Sequence, residues 1–171
     1  DSEIPTYYER VLRKVGLLLR NSATQPLFHN TWGDGLFLVF EKALEGARFA
    51  LRLRDVISSG GQQGHGLERM LGLRMGLHTG PVFEAVNPVT GKNEFVGTHV
   101  TTAARIEPVA VPGQVLASQE TAAIIALERN SDVSCHYVGE VDLPKGFGAH
   151  KVFGLEWKDG RRQPGATHIG S

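Results

Sequence analysis

Apolar positions recur at helical spacing in two early stretches. In residues 5–21, Tyr8, Leu12, Val15 and Leu19 share one face and Pro5 suits a first turn, so the spacing predicts a helix closed by Asn21-Ser22. Residues 42–58 predict another, with Leu44, Ala47, Ala50, Leu51 and Leu53 on one face and Arg48, Arg52 and Asp55 beside it. Between them, residues 26–31 read as a short strand. The unbroken apolar run 36–40 reads as a strand buried on both faces. Residues 71–77 and 82–86 read as strands, and 87–93, with Pro88 and Gly91, as a loop or hairpin tip. A helix is expected over 98–107 and a strand over 115–117. Ser118 then N-caps a helix to about Glu128, with Thr121 at its third position. Strands over 135–141 and 150–155 follow, joined by Leu-Pro-Lys-Gly-Phe-Gly at 143–148. Helices intermixed with hairpins predict an α+β (α/β) domain, a mixed and mostly antiparallel sheet covered by helices. That domain is expected over 1–157, with a flexible tail over 158–171.

Composition narrows the classes. Lysine plus arginine balances aspartate plus glutamate at 18 each, so the chain lacks the electrostatic footprint of a nucleic-acid or anionic-membrane binder. No apolar run reaches membrane-spanning length. The single cysteine, Cys135, excludes an internal disulfide and a cysteine-based zinc site, which fits a reducing, cytoplasmic compartment. Cys135 is expected to be a buried, inert thiol. The glycine-rich loop 60–66 lacks the lysine and helix start of a phosphate loop and reads as a flexible surface excursion.

The candidate chemistry centres on Gly33-Asp34-Gly35, ahead of the apolar run. Glycines permit a tight turn, and a carboxylate at the mouth of a buried strand can hold a metal or act as a catalytic acid. The same triplet also fits an Asp-Gly hairpin turn with a solvated carboxylate.

Several stretches, in order, resemble the class III nucleotidyl cyclase catalytic domain, the adenylate and guanylate cyclase family. They are Thr31-Trp-Gly-Asp-Gly-Leu-Phe-Leu-Val-Phe40, Leu73-Arg-Met-Gly-Leu-His-Thr-Gly-Pro-Val82 and Phe95-Val-Gly-Thr-His-Val-Thr-Thr-Ala-Ala-Arg-Ile-Glu107. Pro112-Gly-Gln-Val-Leu-Ala-Ser118 and the Val138-Gly-Glu-Val…Lys145-Gly-Phe-Gly segment complete the set. The resemblance implies a ferredoxin-like mixed sheet, a head-to-tail homodimer with active sites at the interface, and cyclisation of a nucleoside triphosphate with release of pyrophosphate. It implies two divalent cations per site, Mg²⁺ or Mn²⁺, with Asp34 as one metal aspartate. Arg105 matches the arginine that stabilises charge on the transferring phosphate, a task suited to a planar, always-charged donor. Lys145 matches a lysine that contacts the outer phosphates from the partner subunit. His78 is expected to be structural.

The chain also departs from that pattern. The family's other metal aspartate lies on a preceding strand in a Phe-x-Asp-x-x-Gly-Phe-like motif that does not occur before Asp34, so this strand is expected upstream of Asp1. Thr101 stands where the family has a ribose-orienting asparagine, four residues before the arginine. The base-selecting positions carry Asn30 and Glu94, which match neither the adenylate nor the guanylate pair. Trp32 could narrow the base pocket or equally serve the core or an interface. The Gly97–Pro108 segment looks closest to bacterial cyclases that make cyclic UMP or cyclic CMP in phage defence, so a pyrimidine triphosphate is expected slightly ahead of ATP. A catalytically inactive cyclase-like domain that regulates a fused module is the alternative.

Overall fold

A computed structural model describes residues 4–33, 35–59 and 73–160. The glycine-rich loop 60–66 and the tail from 161 onward lie outside the described residues. Helix α1 (Ile4–Asn21) precedes a hairpin of β1 (Phe28–Trp32) and β2 (Gly35–Val39), and α2 (Ala43–Ser59) follows. Then come β3 (Met75–Leu77), β4 (Phe83–Val86), β5 (Asn93–Val96) and α3 (Thr98–Ile106). The chain continues through β6 (Val115–Ser118), α4 (Gln119–Leu127), β7 (Val133–Leu143) and β8 (Gly148–Trp157).

The central sheet has four strands in the order β3-β6-β8-β7. Its β3–β6 pair is parallel and the other two pairs are antiparallel. The β1–β2 and β4–β5 hairpins are separate two-stranded pieces. Alternation along β6 divides the core. Val115 and Ala117 face Leu44, Ala47, Leu51 and Ile125 of α2 and α4, whereas Leu116 meets Ile106, Ala110 and Leu143 with Phe147 beside them. Side chains as closed off as Leu51 and Ile106 contribute roughly 1.5–3 kcal/mol each by burial. Helix α1 packs on α2 through Val15, Phe49 and Leu53.

Four expectations need adjusting. The run 36–40 is half-buried throughout rather than enclosed on both faces. Leu36, Leu38 and Phe40 pack against the α1–α2 cluster, while Phe37 stacks on Trp32, so the run alternates like any strand of a hairpin. The strand expected over 71–77 is formed only at Met75–Leu77, with 71–72 outside the described residues. Residues 93–96, assigned no strand from sequence, pair with β4. Lys158–Gly160, expected in the tail, form a 3-10 turn tied down by the Lys158 N–H donating to the Asp132 carbonyl (2.8 Å). Among the described residues, no helix is long and apolar enough to cross a membrane.

Candidate active site

The β1–β2 hairpin turns at Gly33, whose φ of 61° is a left-handed conformation that glycine adopts without a Cβ penalty. Asp34, the expected metal ligand at this tip, lies outside the described residues. Beside it Trp32 is half-exposed and stacked on Phe37, with centroids 4.7 Å apart. Asn30 is half-buried opposite Phe37, and its Oδ1 accepts from the Thr31 N–H at 2.8 Å. Its carboxamide nitrogen has no such protein partner among the described residues.

On the second hairpin, Glu94 Oε1 accepts from Asn87 Nδ2 at 2.9 Å. Asn87 is itself fixed, its Oδ1 accepting from the N–H groups of Val89 and Thr90. Phe28 of β1 meets Phe95 of β5 edge-on at 5.6 Å, so a ring contact joins the two hairpins that carry Asn30 and Glu94. No hydrogen bond joins Asn30 to Glu94 directly among the described residues.

Helix α3 begins after Gly97 at φ 132°. Thr101 and Arg105, four apart, share a face one turn apart. The Thr101 hydroxyl donates to the Gly97 carbonyl at a long 3.4 Å. The Nε of Arg105 is buried with no hydrogen-bond partner among the described residues, and the guanidinium carbon lies 5.7 Å from the centroid of Phe147. Phe147 belongs to the β7–β8 turn that also carries Lys145. Arg105 therefore lies against a residue of the turn that carries Lys145. Lys145 is exposed at φ 62°, a left-handed conformation for a non-glycine residue that costs roughly 1–3 kcal/mol and is concentrated at functional sites.

Among the described residues, no group of three or more histidine, cysteine, aspartate or glutamate side chains could hold a metal ion. The described side chains do not by themselves make a metal cradle. His78 is enclosed at the end of β3. Its Nδ1 is 2.8 Å from Ser118 Oγ, and its Nε2 is 2.8 Å from Nδ1 of His99 in α3. Burial holds the His78 imidazole below the usual histidine range, Glu120 opposes that effect, and His99 and His150 add to it. Cys135 is half-buried, and burial pushes its thiol up, with Lys158 acting the other way, which keeps it protonated and inert.

Sequence reasoning assigned no role to Phe147, although it lies in a quoted motif, and none to His99 or to the Phe28–Phe95 pair. Each acts through a contact between residues far apart in the chain, and no local spacing signals it.

A mixed four-stranded sheet with helices on both faces and two appended hairpins defines an α+β domain. A family model described as the adenylate and guanylate cyclase catalytic domain matches residues 35–156, and the chain belongs to that family. Mouse guanylate cyclase 2G is 36% identical over 121 residues, which cover 70% of this chain and 11% of that protein. The chain spans only a small part of the curated relatives it matches, between 2% and 11% of their length. Among solved structures, the adenylyl cyclase CyaB from P. aeruginosa superposes with a TM-score of 0.70 at 18% identity, covering 96% of this chain and 87% of that one. The guanylate cyclase domain of RhGC from Catenaria anguillulae, solved in complex with GTP, gives 0.59 at 20% identity, with 91% and 81% covered.

Proposed function

We propose that the domain is a nucleotidyl cyclase that converts a nucleoside triphosphate into a 3′,5′-cyclic nucleotide and pyrophosphate, working as a homodimer with its sites at the interface. The observation that carries this reading is Arg105. Among the described residues its Nε is buried without a hydrogen-bond partner, and its guanidinium carbon lies 5.7 Å from the centroid of the Phe147 ring. A guanidinium not neutralised by a carboxylate is suited to a phosphoryl group whose charge grows in the transition state. Lys145 in the adjacent turn takes the outer phosphates, and the Thr101 hydroxyl orients the ribose.

Asn30 and Glu94 read the base. Among the described residues the Asn30 carboxamide nitrogen and the second Glu94 carboxylate oxygen have no hydrogen-bond partner, leaving a donor on one hairpin and an acceptor on the other for a Watson–Crick edge. We assign UTP or CTP as substrate, ahead of ATP, with Trp32 limiting the space beside the base. Asp34 is the residue assigned to the divalent cations, whose role would be to neutralise phosphate charge. The curated guanylate cyclase relative and the GTP-bound structural neighbour support nucleotide chemistry.

The second reading is an inactive domain that binds nucleotide and regulates a fused module. It is favoured by Thr101, whose hydroxyl is already turned to the Gly97 carbonyl. Incubating the full-length protein with each of the four triphosphates and Mn²⁺ separates the two. Cyclic product that disappears in Arg105→Ala and Asp34→Ala supports the enzyme; nucleotide binding without product from any triphosphate supports the regulator.

A further inference from the structure

We propose that His99 is a positioning residue: with His78 it forms a shared-proton latch that holds the first turn of α3, and with it Thr101 and Arg105, against the end of β3. The proposal rests on the reading of α3 as the helix that presents those two side chains to nucleotide.

Three observations converge on the latch. The two imidazoles lie edge to edge and nearly coplanar, with centroids 5.0 Å apart and 19° between their planes, and His78 Nε2 lies 2.8 Å from His99 Nδ1. His78 is anchored in turn by Ser118 Oγ at 2.8 Å, at the N-cap of α4, where that oxygen also accepts from the Thr121 N–H. On the other side His99 lies so close over Gly80 that a Cβ there would collide with the imidazole ring. The site is thus shaped to receive this ring.

A separation of 2.8 Å between two ring nitrogens requires one proton between them and leaves no room for two. The neutral pair closes in either of two tautomers, with Ser118 Oγ donating to His78 Nδ1 or accepting from it. One proton taken from solution still leaves every bond made, but it places a positive charge on a pair whose His78 side chain is only 5% exposed. A second proton sets two N–H groups against each other, and the latch opens.

The charged and titratable groups facing His78 are His99 from α3, Glu120 from α4 at 3.8 Å and His150 from β8; Thr79, Ser118 and Thr121 present only hydroxyls. Glu140 and Lys151 line the concavity beyond Glu120 and His150. Because burial depresses the folded-state value of His78, with Glu120 opposing, the unfolded chain binds more protons in acid. The stability from the neutral imidazole is therefore complete above its ordinary value of 6.5 and is lost as pH falls through the lower folded value.

The test compares wild type, His99→Ala and His99→Asn in the full-length protein. Asparagine places a non-titrating amide near the position of Nδ1. Two readouts apply: kcat and KM at pH 7.5, and protection factors of the amides in residues 99–106 at pH 7.5 and 5.0. We expect His99→Ala to lower kcat about tenfold or more with KM within about twofold, since a small displacement of a catalytic group can cost up to ~100-fold. His99→Asn is expected to restore kcat to within about twofold. Wild-type α3 should lose at least about tenfold in protection at pH 5.0, His99→Ala should lack that protection at both pH values, and His99→Asn should keep it at both. Wild-type protection and kcat in His99→Ala, or acid loss in His99→Asn equal to wild type, would overturn the latch. Absence of product from the wild type would instead overturn the enzymatic reading, and amide exchange alone would then decide the latch.

Discussion

Gly76 sets how closely α3 lies on β3, and replacing it with alanine probes that distance. A Cβ built there would sit 2.9 Å from the Ala103 carbonyl oxygen, 3.0 Å from Glu107 Cα, and closer still to the Glu107 amide nitrogen. Those atoms form the last hydrogen bond of the helix, from the Glu107 N–H to the Ala103 carbonyl. The methyl group would press on that bond, and backbone cannot turn aside as a side chain can. Either the helix end unwinds or α3 shifts outward.

Overpacking of this kind typically costs about 1–3 kcal/mol. Roughly 0.4–1 kcal/mol is regained because alanine restricts the unfolded chain. Since the obstacle is backbone, a net loss near 2 kcal/mol is expected, or about 4–8 °C in melting temperature at this chain length. Gly154→Ala is the matched control. A Cβ at that position would meet only the ring of His136, which is exposed and can swing away, so its melting point should stay within about 2 °C of wild type. Thermal melts by circular dichroism, run beside product formation, decide the matter. An unshifted melt for Gly76→Ala, or an equal loss in both variants, refutes the reasoning.

Two further substitutions test other contacts. Trp157 Nε1 donates to the buried Asp55 Oδ2 at 2.7 Å, so Trp157→Phe strands a carboxylate oxygen; a loss of about 1.5–3 kcal/mol is expected in a denaturant titration, with Arg54 still pairing the other oxygen. Phe147→Leu keeps the apolar packing under the β7–β8 turn but removes the ring from Arg105. It should lower kcat roughly three- to tenfold while leaving the melting point within a few degrees, and Phe147→Tyr should restore the rate.

Where a chemical signal is local, the sequence carried it. Ser118 was read as an N-cap because its oxygen need reach only the Thr121 N–H, and the structure shows that bond. The helical periods of α1 and α2 were equally plain, since each spans several turns. The β5 strand escaped because Asn93-Glu94-Phe95-Val96 is four residues long with no apolar alternation, and its identity comes from pairing with β4. The burial of residues 36–40 was overestimated for a related reason. An apolar run does not say what covers each face, and one face of β2 is covered by aromatic rings of its own hairpin. At the site, Arg105 and Lys145 stand out through the resemblance to the cyclase family rather than through local spacing. That Phe147 meets Arg105, and that His78 meets His99 across 21 positions, depends on tertiary approach alone.

The tethers of α3 divide the candidate site into two mechanical parts. The helix is fixed by the close approach at Gly76, by His78 at its first turn, by the Arg74–Glu107 ion pair at its end and by Phe147 against Arg105. Thr101 and Arg105 therefore sit on a helix packed against the core sheet, where displacement disturbs packing on several sides. Asn30 and Glu94 instead sit on two-stranded hairpins outside that sheet, joined to each other through Phe28 and Phe95. Hairpins of two strands contribute little stability of their own. If Asn30 and Glu94 read the base as proposed, Asn30→Ala and Glu94→Ala should change the relative rates with the four triphosphates while leaving the melting temperature within about 2 °C of wild type.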